Sequence, residues 1–170
     1  TLGAIYADLF GAEDAMVRIN FVNGTHAISS ALYGVLRPGD VLVSAIGAPY
    51  DTLQGVIGIT GDGNGSLKEF GMFVPTGALL SKVSYNEGKS VPGIAQAVQD
   101  PAVKAVLIQR SRGYATRASL SVARIGEICQ VIRSHNPHVY ILVDNCYGEF
   151  VETTEPTQVG ADLIMGSLIK

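Results

Sequence analysis

The sequence predicts an α/β fold, in which a mostly parallel sheet of about six to seven strands has helices on both faces. The first observation is that short, β-branched apolar runs alternate with amphipathic helical patterns. The second is that these runs are continuously apolar, which is typical of parallel strands buried on both faces. The chain has 170 residues, of which 47% are hydrophobic and only 16% are charged, so it can bury a sizeable core.

The predicted strands are apolar runs bounded by Gly, Pro, Asn or Asp, the residues that favour turns. They cover residues 15–22, 41–46, 82–85, 105–109, 139–143 and 162–165. Ligands of parallel α/β sheets bind beyond the carboxyl ends of the strands. The residues that follow each run are therefore the candidates for function.

Helical patterns fill most of the gaps between these runs. The clearest covers residues 121–136, where apolar residues recur with helical spacing and Pro137 lies just beyond the end. Shorter helices are predicted over residues 25–36, 52–59 and 92–99. Because no repeat or linker-like tract interrupts the pattern, we expect residues 1–170 to form one domain.

Composition excludes several classes of partner. The net charge is −3 and lysines and arginines are not clustered, which argues against nucleic-acid binding. No run approaches the roughly 18 apolar residues of a membrane span. The chain has two cysteines and no signal segment, so we expect a cytoplasmic setting. We expect no metal site, because Pro137 separates His135 from His138 and no other ligand has zinc-like spacing.

The segment Asn23-Gly24-Thr25-His26 lies between the first predicted strand and a helix. A glycine at such a turn lets the backbone approach a ligand, and the helix N-terminus favours an anion such as phosphate. The Thr25 hydroxyl would add a further donor. The alternative interpretation is that Thr25 only caps the helix.

Two ionisable residues follow apolar runs later in the chain. Asp144 comes directly after residues 139–143, where its carboxylate would be desolvated unless it met a cation or a hydrogen-bond donor. Lys170 follows the last run through Gly166-Ser167-Leu168-Ile169, and desolvation there would favour a nucleophilic amine able to form a Schiff base. An isolated lysine would more simply extend into solvent.

These three features together match what pyridoxal phosphate requires. The turn at Gly24 would hold the phosphate, Asp144 would keep the pyridine nitrogen protonated, and Lys170 would hold the aldehyde.

The same residues carry a family resemblance over essentially the whole chain. In the order Asn23-Gly24-Thr25, then 144–150, then 166–170, the sequence resembles the large domain of fold-type I pyridoxal-phosphate enzymes. More narrowly, residues 24–28, 48–52 and 109–114 resemble the methionine gamma-lyase-like family of aluminium resistance proteins, relatives of the cystathionine beta-lyases.

The resemblance implies a role for each matching residue. Lys170 would hold the cofactor, Asp144 would pair with the pyridine nitrogen, and Gly24, Thr25 and Ser167 would bind phosphate. Tyr50 matches the aromatic residue that stacks on the cofactor ring, with or without a part in proton transfer. Tyr147 is similar to a tyrosine that contacts the ring hydroxyl in aminotransferases.

The roles of Gln109, Ser111 and Arg112 stay open between the ring hydroxyl and the substrate. Arg110, Arg112 and Arg117 form a small basic group, and solvated loop charge explains two of the three.

The implied activity is a pyridoxal-phosphate-dependent carbon–sulfur lyase acting on a sulfur-containing amino acid. An aminotransferase and a non-catalytic phosphate-ligand-binding module in a stress response are the alternatives. The resemblance also implies a homodimer or homotetramer, and a small C-terminal domain beyond residues 1–170 that would supply the arginine for the substrate carboxylate.

Overall fold

A computed structural model describes residues 1–37, 40–57 and 91–170. Its helices are α1 (Leu2–Phe10), α2 (Gly24–Val35), α3 (Asp51–Ile57), α4 (Val91–Ala97), α5 (Val122–His135) and a 3-10 helix (Pro156–Val159). Its strands are β1 (Val41–Ser44), β2 (Val103–Gln109), β3 (Tyr140–Asp144) and β4 (Leu163–Met165). The predicted strand at 82–85 lies outside the described residues.

The four strands form one parallel sheet in the order β1-β2-β3-β4. This confirms the α/β class and the parallel sheet. The predicted number of six to seven strands is not reached, because the described residues contribute four strands. In the register of the sheet, Gln109 of β2 pairs with Asp144 of β3, and Asp144 pairs with Met165 of β4.

Helices cover both faces of the sheet, as predicted. Helices α2 and α3 pack on one face through Ile28, Leu32 and Leu53, against Leu107 and its neighbours. Helices α4 and α5 pack on the other face, which includes Ile108. Successive strand residues such as Leu107 and Ile108 point to opposite faces, so the continuous apolar runs supply both cores.

Side-chain caps define where the two longer helices of the core begin. The side chain of Asn23 accepts a hydrogen bond from the backbone N–H of His26 (2.9 Å) and starts α2. Ser121 caps α5 in the same way through the N–H of Arg124 (3.2 Å). Such caps satisfy backbone donors that have no partner within the helix.

The predicted strand at residues 15–22 is wrong. The segment is irregular, and Met16, Ile19 and Val22 are exposed, with Ile19 fully so. A β-branched run fits a strand only where a neighbouring strand and a buried face exist, and none of the described strands pairs with this segment. It passes instead beside α1, where a Cβ on Gly3 would collide with the carbonyl oxygen of Ala15.

Two of the described helices, α1 and the 3-10 helix, have no counterpart in the sequence prediction. They contact each other's ends, since the hydroxyl of Thr157 donates to the carbonyl of Phe10. Within the described ranges, each helix falls short of the length and apolar character that crossing a bilayer requires.

Replacing Leu107 with alanine is expected to lower the free energy of unfolding by about 2–5 kcal/mol, because it removes a buried side chain from the core under α2. Denaturant unfolding measures the change. Leu9→Ala is the matched control, since Leu9 is exposed on α1 and should cost less than about 1 kcal/mol. Equal losses in the two variants would contradict the assignment of Leu107 to the core.

Candidate functional site

The candidate site lies at the carboxyl ends of β2, β3 and β4. Gln109 and Asp144 end adjacent strands, and both side chains are buried. The chain after Asp144 turns toward β4, because the N–H of Asn145 donates to the carbonyl of Met165 (2.8 Å). Residues 166–170 leave the sheet at the same edge, as expected for a ligand site of a parallel sheet.

The N-terminus of α2 lies against this edge. A Cβ placed on Gly24 would sit 3.0 Å from Sγ of Cys146, 3.8 Å from Cβ of Ser167 and 3.9 Å from Nζ of Lys170. The glycine is therefore needed for a close approach between the helix start and the two later segments. The hydroxyl of Thr25 lies 2.7 Å from that of Thr52, so two hydroxyls accompany the free N–H groups of the helix start.

Asp144 is a buried carboxyl group. Burial raises its pKa, while hydrogen bonds from Cys146 and the charge of Lys170 act in the opposite direction. Its Oδ1 accepts the backbone N–H of Cys146 (3.1 Å). Such a carboxylate is stabilised by a nearby cationic N–H donor.

Cys146 is a buried, neutral thiol. Burial first, and then the charge of Asp144, raise its pKa to about 12. A thiol of this kind is a poor nucleophile, so Cys146 serves as packing beneath Gly24 and as a partner of Asp144.

Tyr147 and Lys170 face each other at the opening of the site. Nζ of Lys170 lies 4.7 Å from the centre of the Tyr147 ring, within cation–π range. Tyr147 has a positive φ of 67°, and this turn directs its ring toward the lysine. Ser167 is fixed nearby, since its N–H donates to Oε1 of Glu149 (2.8 Å).

Tyr50 also lines the cleft. Its ring stacks on Tyr114, with centroids 5.7 Å apart and planes at 25°. A hydrogen bond and the charge of Tyr114, together with smaller contributions from burial, Tyr147 and Asp51, raise the pKa of Tyr50 to about 12. Tyr50 is therefore a neutral phenol at physiological pH.

The predicted residues meet in one cleft. Thr25, Tyr50, Asp144, Tyr147 and Lys170 line it together, and Gly24 and Ser167 adjoin it. Ser111 also lines the cleft, whereas Arg112 is exposed outside it. No individual role was predicted for the remaining lining residues, which come from α2, α3 and the loop after β2: Ile28, Thr52, Leu53 and Gly113.

Arg110 is buried, in contrast to the solvated loop charge that was expected for two of the three arginines of its group. Its guanidinium donates to the side chain of Asn145 (2.8 Å), to the carbonyl of Gly148 (2.7 Å) and to Glu152 (2.7 Å). Oε2 of Glu155 lies 3.6 Å from Nη1 of Arg110 and also offsets the charge of the guanidinium. Arg110 thereby holds the loop that carries Tyr147. In the sequence, this role of Arg110 is indicated only by its position directly after an apolar run.

Arg117 is half-buried and also structural. It donates to the carbonyls of Gln109 and Ser111, and burial lowers its pKa. In the described ranges, no group of three His, Cys, Asp or Glu residues is placed to hold a metal ion.

The whole chain resembles known proteins. The family model described as methionine gamma-lyase matches residues 1–170. An uncharacterized protein of Bacillus subtilis (strain 168), YnbB, is 46% identical over 177 residues, a match that covers 100% of this chain and 39% of YnbB.

Solved structures agree with this match. The carbon-sulfur lyase involved in aluminum resistance from Clostridium novyi NT is 44% identical and superposes with a TM-score of 0.85, covering 99% of this chain and 39% of that one. A Bacillus cereus protein is 46% identical with a TM-score of 0.87, over 99% of this chain and 40% of its own. The chain thus spans about two fifths of the length of these relatives.

Replacing Asp144 with asparagine is expected to stabilise the cofactor-free protein at neutral pH. Because burial raises the pKa of Asp144 above its unfolded value of about 3.9, the native state binds the proton more tightly. Proton binding at Asp144 contributes to the free energy of unfolding. This contribution is fully present below the unfolded pKa and is lost as the pH rises through the raised pKa of the native state. The variant, which carries no such charge, avoids this loss.

Urea unfolding of both proteins between pH 3 and pH 8 tests the difference. The advantage of Asp144→Asn should be present at pH 8 and vanish toward pH 3. Asp8→Asn, at an exposed position of α1, is the control and should show no such trend. An advantage that grows in acid would contradict the assigned cause.

Proposed function

Since the chain belongs to the methionine gamma-lyase family, we propose that the protein is a pyridoxal-phosphate-dependent carbon–sulfur lyase acting on a sulfur-containing amino acid, by elimination of the cystathionine or methionine type. The observation that carries the proposal is the convergence of Thr25, Asp144 and Lys170 in one cleft, with Tyr50 and Tyr147 at its sides.

The residues of the cleft fit pyridoxal phosphate. Gly24 leaves a space that a Cβ would fill, at the start of a helix whose N–H groups and neighbouring hydroxyls suit a phosphate. Asp144 is a buried carboxylate suited to a protonated ring nitrogen, and Lys170 supplies a primary amine for the aldehyde. The cleft thus combines an anion site, a carboxylate and an amine. Few ligands other than pyridoxal phosphate require all three groups.

Each residue then has one task in the reaction. The bound cofactor supplies an electron-withdrawing ring that accepts the electrons left at the substrate α-carbon. Lys170 would hold the cofactor through Nζ and, when that amine is free, would take the α-proton of the substrate. Asp144 would accept a hydrogen bond from the protonated ring nitrogen.

The aromatic and small residues orient the ring. Tyr50 offers its face and a neutral phenol that can donate a proton to the leaving thiol. Gly24, Thr25 and Ser167 bind the phosphate, and Tyr147 lies beside Lys170.

An assembly of two or four copies in the cytoplasm is part of the proposal. The fully exposed Ile19 and the exposed Leu2, Ile5 and Leu9 of α1 support it, because apolar side chains left at a surface favour a subunit contact. Cys129 and Cys146 are both free thiols, which suits a reducing compartment.

Borohydride reduction of the protein loaded with pyridoxal phosphate is expected to fix the cofactor on Lys170, because the reduced carbon–nitrogen bond no longer hydrolyses. Mass spectrometry of the peptides locates the added mass. Lys170→Ala should abolish the labelling and the visible absorbance. Lys104→Ala, at an exposed position of β2, should keep both. A colourless wild-type protein, or a label on another lysine, would refute the proposal.

Replacing Asp144 with alanine is expected to retain the labelling at Lys170 and to lower turnover by at least about 100-fold, because the ring nitrogen loses its partner. Thiol released from cystathionine or methionine is the measurement. Full activity in this variant would show that Asp144 does not have its assigned role.

The aminotransferase alternative is motivated by Tyr147, which lies against Lys170. A keto acid formed without a thiol would favour it. A protein that binds pyridoxal phosphate and transforms no amino acid would favour the non-catalytic alternative.

A further inference from the structure

Gln109 is buried at the carboxyl end of β2, and both ends of its amide group are engaged. Its Oε1 accepts a hydrogen bond from the backbone N–H of Tyr50 (2.8 Å), and its Nε2 donates to the carbonyl of Ser111 (3.1 Å). The first contact joins residues 59 positions apart in the sequence. The amide thus links the start of α3 to the loop after β2.

This link brings two tyrosine rings together. Gly113, with a positive φ of 56°, packs closely enough that a Cβ there would lie 3.4 Å from Cδ2 of Tyr50 and 3.3 Å from Nε2 of Gln109. Tyr114 follows directly and stacks on Tyr50, with the two hydroxyl oxygens 3.4 Å apart. The hydrogen bond from Gln109 to the carbonyl of Ser111 holds the start of this loop.

The other contacts of the loop support the same geometry. Arg117 donates to the carbonyls of Gln109 and Ser111, so the side chains of Gln109 and Arg117 both bind the loop at Ser111. Gln109 itself is fixed by its strand pairing with Asp144. A chain of direct contacts therefore runs from Asp144 through Gln109 to Tyr50 and Tyr114.

We propose that Gln109 is a positioning residue, whose amide fixes Tyr50 and the Ser111–Tyr114 loop at the mouth of the cleft in register with Asp144. The proposal rests on the proposed function in that it assumes a role for Tyr50 in the reaction. Gln109 does not contact substrate or cofactor in this assignment, because both ends of its amide are used within the protein.

Gln109→Met tests the proposal, because methionine keeps the length and volume of the side chain and removes both hydrogen bonds. Gln130→Met, on the exposed surface of α5, is the matched control. Thermal unfolding by circular dichroism establishes that both variants are folded before the other measurements are made.

The first readout does not need the cofactor. Tyr114, Tyr147 and Asp51 are the groups that raise the pKa of Tyr50, Tyr114 most of all. Absorbance titration of the tyrosines in full-length, cofactor-free protein should show a late ionisation near 12 that Tyr50→Phe removes. In Gln109→Met it should move toward the ordinary value of about 10. An unchanged late ionisation in Gln109→Met would overturn the proposal.

The second readout is a double-mutant cycle on the loaded enzyme. Gln109→Met should lower kcat/KM by about ten-fold or more, since small displacements of positioned groups are costly. In a Tyr50→Ala background the same substitution should have little further effect, because Gln109 acts through Tyr50. Fully additive losses would overturn the proposal. If the wild-type protein releases no thiol, the proposed function fails, while the titration still decides the role of Gln109.

Discussion

Strands β2 and β3 end level with each other, because Gln109 is paired with Asp144 in the parallel register. This pairing positions the other groups of the site. It places a buried carboxylate beside a buried amide, and the amide in turn holds Tyr50 by its backbone N–H. Helices cover both faces of the sheet, so the polar groups at the strand ends lie just beyond the apolar core. A shift of one residue would exchange the side chains that face each core and separate Gln109 from Asp144.

The loop after Asp144 depends on a second, electrostatic constraint. Tyr147 and Phe150 both have positive φ angles, which are costly for residues other than glycine. Arg110 offsets this cost by binding Asn145 and Gly148 within the loop. Glu152 and Glu155 compensate its buried charge, and Glu155 also accepts the N–H of Phe150 (2.9 Å). Since a buried charge without a partner is strongly unfavourable, the network holds the loop in one conformation.

Much of the sheet was predictable, because its strands are continuous apolar runs bounded by turn residues. The runs at 41–46, 105–109, 139–143 and 162–165 correspond to β1–β4 with small differences at their ends. The run at 15–22 has a similar composition but is irregular and largely exposed, because none of the described strands pairs with it. Composition identifies a segment that suits a strand, and pairing decides whether one forms. Arg110 shows the same limit for charge, since its burial depends on carboxylates about 40 residues further along the chain.

The sequence by itself determined which chemical groups are available to the site. The turn at Gly24, the carboxylate of Asp144 and the amine of Lys170 each follow from a local pattern of a few residues, and the structure brings all three to one edge. Only the tertiary structure decided how they are held. The bond from Tyr50 to Gln109, the stacking of Tyr114 and the burial of Arg110 join segments far apart in the chain. These contacts arise from strand register and loop closure, which depend on the packing of the whole core and leave no periodic pattern in the local sequence.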